Sequence, residues 1–156
     1  MCSRPSRHRY TVRMYSISEP IPVVFAPCSL VLAGDSVAAG FPSPAEDYMV
    51  RRIDLNEVLI THPQATFLLR VRGHSMIKAG IFDGDMLVVN KALKPRHGQI
   101  VVAVVDGEFT VKVLYMLDGV VKLQAANDDF PEFIPRDGQT LEVWGVVTAC
   151  IKRFPV

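Results

Sequence analysis

The chain has 156 residues, 49% of them hydrophobic, and a formal net charge of +1, enough for one domain with a sizeable core plus an appendage and too little for two ordinary domains. Arg4, Arg7, Arg9 and Arg13 stand at the start without an acid among them, whereas residues 40–156 carry 13 basic and 14 acidic side chains. So balanced a body has no basic stripe to neutralise phosphates, which argues against direct, tight nucleic-acid binding, and no apolar run approaches the ~20 residues of a membrane span.

Residues 1 to about 45 hold six prolines (Pro5, Pro20, Pro22, Pro27, Pro42 and Pro44) and sustain no period of 3.6 or 2, so they read as an extended or partly ordered arm. Within it the arginines, the apolar run VVFAPCSLVLAG (23–34) and Val37-Ala38-Ala39 imitate the three parts of a signal peptide. Glu19, Pro20, Pro22, Pro27 and Asp35 interrupt that pattern, and Met14 offers an alternative start. Order is expected from Tyr48 onward. Asp54-Leu-Asn-Glu57 has capping-box spacing before Val58, Leu59 and Ile60, which predicts a short helix ended by His62-Pro63.

Strands are predicted at 66–73, 86–90, 100–105, 108–117, 120–126 and 140–154, all rich in β-branched and aromatic residues. Asp83-Gly84, Asp106-Gly107, Asp118-Gly119 and Asp137-Gly138 punctuate them, and Asp-Gly between apolar runs signals a tight hairpin because glycine supplies positive φ. An antiparallel, mostly β meander follows. The proline-rich arm cannot house a helix-turn-helix, so a DNA-binding repressor is disfavoured. Cys2, Cys28 and Cys150 are far apart, as are His8, His62, His74 and His97. Neither a disulfide framework nor a metal or other cofactor site is signalled, and reduced thiols fit a cytoplasmic protein.

Two residues stand out. Lys112 is the only charge in FTVKVLYML (109–117), flanked on one side of the strand by Val111 and Val113 and sharing the other with Thr110, Leu114 and Met116. Such a lysine either snorkels to an edge or is desolvated, and desolvation lowers its pKa towards that of a usable general base. Ser75, in Gly73-His74-Ser75-Met76, ends one predicted strand and begins a turn. There a hydroxyl can project from the rim, and the unpaired backbone N–H groups of Ser75 and Met76 can stabilise an oxyanion. Each residue alone has an ordinary reading, a turn serine and an edge lysine. Together they are the parts of a serine/lysine dyad.

The segments AGFPSPAEDY (39–48), RIDLNEVLITHPQATF (52–67), GHSM (73–76), GIFDGDMLVV (80–89), HGQIVVAVVDGEFTVK (97–112) and LEVWGVV (141–147) resemble the UmuD branch of the LexA-type self-cleaving serine peptidases. The resemblance implies the LexA-type peptidase fold: curled antiparallel sheets with short helical turns, preceded by an extended arm. It makes Ser75 the nucleophile and Lys112 the base, and puts the scissile bond at Ala39-Gly40, dividing an arm (1–39) removed by self-cleavage from a peptidase and interaction domain (40–156). UmuD has cysteine where this chain has Ala39, but LexA-type repressors are cut at Ala-Gly. The implied partners are a second copy of the chain in a homodimer, the RecA filament on single-stranded DNA as co-protease, a UmuC-type Y-family polymerase for translesion synthesis in the SOS response, and the sliding clamp. Two other readings stay open: a noncatalytic β-domain serving as an interaction module, and an exported β-protein with a signal peptide.

Overall fold

Along Ile100–Val105 every residue is aliphatic, so both faces of this strand must be buried. The computed structural model, which describes residues 29–33 and 50–156, places it accordingly, between two neighbours. In chain order the strands are β1 (Ser29–Ala33), β2 (Val50–Asp54), β3 (Thr66–Arg70), β4 (Met86–Asn90), β5 (Ile100–Val105), β6 (Glu108–Leu117), β7 (Val120–Gln124) and β8 (Leu141–Ile151). Among the described residues one helix, α1 (Leu55–Leu59), and two 3₁₀ turns, Pro63–Ala65 and Ile77–Ala79, complete the elements. The Asp54 carboxylate caps α1 by accepting the Asn56 N–H at 2.9 Å.

Strands β3 to β8 form a six-stranded antiparallel sheet in the order β3-β4-β8-β5-β6-β7. The mostly β, antiparallel class expected from the sequence is therefore the fold observed. Connectivity departs from a meander. Strands β5, β6 and β7 follow one another, but β8 returns to lie between β4 and β5. Asp106 (φ 48°) with Gly107 (φ 88°), and Asp118 (φ 51°) with Gly119 (φ 77°), make the two tight hairpins that join β5 to β6 and β6 to β7. Asp83-Gly84 and Asp137-Gly138 make no tight hairpin of this kind: the first closes the long connection between the paired strands β3 and β4, and the second precedes β8.

Leu87, Val89 and Val102 pack with Val71, Met76 and Ile81 in one buried cluster, while Val101, Ala103, Leu114, Leu123 and Val146 form a second. Alternation along β5 feeds both clusters. At the end of β8, the Lys152 ammonium donates to the Asp85 carboxylate at 2.6 Å, and Phe82 N–H donates to the same oxygen at 2.8 Å. These contacts hold the Asp85 carboxyl below its ordinary pKa, with the Lys152 hydrogen bond the largest cause.

A separate two-stranded ribbon pairs β1 with β2, Leu30 opposite Ile53 and Ser29 opposite Asp54. Part of the segment read as an unpatterned arm is thus a strand, stabilised by a partner that sequence periodicity does not reveal. Ala39 and Gly40 lie outside the described residues.

Candidate active site

The connection from β3 to β4 is closed at its base by main-chain bonds: Val71 N–H to Asp85 O at 2.8 Å, and Gly84 N–H to Val71 O at 3.0 Å. Within it the chain turns at Gly73, whose φ of 91° favours glycine and whose N–H donates to the Asp83 carboxylate at 2.7 Å. Met76 follows two residues after His74 and is almost fully buried, so its side chain pins the turn into the core. Its carbonyl accepts the N–H groups of Ala79 at 3.0 Å and Ile81 at 3.2 Å, which winds the 3₁₀ turn. Ser75 is held between these anchors and is partly exposed.

Lys112 lies on β6 opposite Val101 of β5. Strand β7 pairs with β6 only over Val113–Leu117. The stretch before Val113 therefore has β5 as its one strand neighbour among the described residues, and here the lysine meets the serine. The Lys112 Nζ stands 2.8 Å from Ser75 Oγ, 2.9 Å from Thr110 Oγ1 and 3.0 Å from the Val111 carbonyl oxygen. Burial pushes the lysine pKa below its ordinary value. A neutral amine has two N–H groups and one lone pair. The Val111 carbonyl, which can only accept, takes one N–H; Thr110 Oγ1 can take the other, leaving the lone pair for the Ser75 proton.

Sequence reasoning named Ser75 and Lys112, and the fold brings them together across 37 residues. The backbone N–H groups of Ser75 and Met76 meet no acceptor among the described residues. Thr110 was visible as a residue sharing a strand face with Lys112, but its hydroxyl was given no role. Asn127 left no signal at all. It follows β7 in a polar run that reads as a plain turn, yet it is buried and its Nδ2 donates to the His74 carbonyl at 2.9 Å. Among the described residues no group of His, Cys, Asp and Glu could hold a metal, and no helix is long and apolar enough to cross a membrane.

The mostly β, antiparallel domain thus sets a serine hydroxyl against a desolvated lysine amine. Residues 31–148 match the family model described as Peptidase S24-like, and the chain belongs to that family as a UmuD-type member. It is 48% identical to Protein ImpA of Salmonella typhimurium over 122 residues, covering 78% of this chain and 83% of that protein. Protein MucA of Escherichia coli is 46% identical over 121 residues, 77% of this chain and 82% of MucA. The LexA repressor of Dechloromonas aromatica (strain RCB) is 45% identical over 118 residues, 75% of this chain but 58% of the repressor.

Proposed function

We propose that this chain is a serine endopeptidase that cuts its own Ala39-Gly40 bond with Ser75 as nucleophile and Lys112 as general base. The 2.8 Å contact between Lys112 Nζ and Ser75 Oγ carries the reading. Ser75 Oγ attacks the Ala39 carbonyl carbon while its proton passes to the Lys112 amine. The backbone N–H groups of Ser75 and Met76 stabilise the oxyanion. Collapse breaks the C–N bond, and the Lys112 ammonium returns its proton to the departing Gly40 amine. Water then attacks the Ala39 ester, gives a proton to Lys112, and releases an Ala39 carboxylate with Ser75 regenerated. Small side chains at Ala39 and Gly40 let the backbone approach closely, and Pro42 and Pro44 keep the following chain extended. Val50 is ten residues from Gly40, a reach of about 30 Å when extended, which is the span available for attack within one chain.

Regulation follows from two brakes: protonation of Lys112 and infrequent seating of the arm. A partner that binds the seated conformer accelerates cutting without lending a catalytic group. In this family's setting that partner is the RecA filament on single-stranded DNA. The product, residues 40–156, dimerises in the cytoplasm and serves a UmuC-type translesion polymerase, with the sliding clamp as a further contact in the SOS response to DNA damage.

Intact mass after incubation of purified protein tests the chemistry. Wild type is expected to yield fragments 1–39 and 40–156, and Ser75→Ala none. Cutting by an exporting enzyme would survive that substitution, and a noncatalytic domain would stay whole in both samples.

A further inference from the structure

The turn that carries Ser75 is sewn to the segment after β7 at points on either side of the serine. On one side Asn127 Nδ2 donates to the His74 carbonyl at 2.9 Å. On the other, Lys78 N–H donates to the Ala126 carbonyl at 2.8 Å, and the Lys78 ammonium pairs with the Asp128 carboxylate. Asn127 is itself fixed: it is 8% exposed, its Oδ1 accepts the Asp129 N–H at 3.2 Å, and its carbonyl accepts the Phe130 N–H at 3.2 Å. A buried carboxamide held by its neighbours is a rigid donor.

The carbonyl it grips belongs to the peptide unit that joins His74 to Ser75. That unit is planar, and in the trans form its C=O and N–H point in opposite directions. Fixing the His74 oxygen therefore fixes the direction of the Ser75 N–H. We propose that Asn127 is a positioning residue: by holding the His74 carbonyl it aims the Ser75 N–H at the developing oxyanion and prevents the peptide from rotating away. The inference rests on the self-cleavage reading above and assigns Asn127 no contact with the substrate. Asn127 hydrogen-bonds the His74 carbonyl and not the Lys112 amine, whose partners are Ser75, Thr110 and Val111.

Loss of an oxyanion donor costs on the order of 10²–10³ in rate, and a donor left free to swing is expected to lose at least ~10-fold of that. The test measures self-cleavage of the full chain on the high-pH plateau, where Lys112 is neutral in every variant. Asn127→Asp keeps the shape and the acceptor for Asp129 but has no donor, and its plateau rate is expected to fall tenfold or more. Asn127→His is bulkier but can present a ring N–H, and is expected to stay within threefold of wild type. A packing role alone would reverse that order, and the reversed order overturns the proposal. So does an Asn127→Asp plateau equal to wild type. Asp128→Ala, which breaks only the exposed ion pair on the same loop, is expected to cut normally; an equal fall there would show a general effect of loop loosening and also overturn it. Asn127→Ala provides a second donorless variant should Asn127→Asp fail to fold. Wild type that does not cut at all would remove the self-cleavage reading itself, whereas wild-type cutting with insensitive Asn127 variants removes only this inference.

Discussion

Lys112 owes its chemistry to where its strand runs. Three oxygen atoms lie within 3.0 Å of its amine, and burial lowers its pKa from the ordinary 10.5. Self-cleavage without a co-protease is accordingly expected to rise with pH and to level off above the lowered pKa; a rate flat from pH 6 to 10 would exclude lysine as the base. The same shift has a stability consequence. Between the folded and the ordinary pKa the unfolded chain binds more protons than the folded one, so this group's contribution to stability improves as pH rises through that window. Below it, the folded state bears the full cost of a desolvated ammonium. Lys112→Met is therefore expected to abolish cutting while raising the thermal midpoint at neutral pH, and its advantage should shrink towards pH 10. A lower midpoint than wild type at pH 7 would count against a destabilising charge.

At the level of elements, β8 shows what periodicity can and cannot deliver. A strand over 140–154 was legible from its β-branched and aromatic content, and Leu141–Ile151 is the strand observed. Its register was not legible. Val102 and Ala103 of β5 face Gly145 and Val143, leaving Trp144 as an extra residue, and Val88 and Val89 of β4 face Ala149 and Val147, leaving Thr148 as another. Each bulge re-aims side chains: Trp144 packs against Phe67 and Phe109, with ring centroids 5.2 and 5.5 Å away. Bulges are set by two neighbours at once, and one sequence records neither. Gly145 shows the constraint, since a Cβ there would stand 2.7 Å from Val89 Cγ1. Gly145→Ala is expected to cost about 1–3 kcal/mol, read as a lower denaturant midpoint with an unchanged slope. The pair Ser75 and Lys112 was legible for the opposite reason. A lone charge in an apolar strand is displayed directly by sequence; Ser75, which lies in the turn five residues past the end of β3 at Arg70 and not at a strand end, stood out only once paired with that lysine. Asn127 is an ordinary residue in an ordinary polar run, and only the fold brings it to His74.

Across the whole molecule, the β1–β2 ribbon is a sheet of its own, not hydrogen-bonded into the six strands. Residues 34–49 link its two strands, and the bond between Ala39 and Gly40 falls inside that link. While the link is intact, β1 meets β2 as part of one chain, at an effective concentration in the millimolar range. If the proposed self-cleavage breaks that bond, the same five residue pairs must hold two separate molecules together, and so short a pairing alone is too weak to do so at micromolar protein. Native mass spectrometry of a cleaved sample is expected to find residues 40–156 without the 1–39 peptide; a persistent one-to-one complex would mean that other contacts retain the arm. On the proposed reading, hydrolysis of one amide would turn a first-order encounter into a second-order one, and dilution would keep the released strand from returning to its partner.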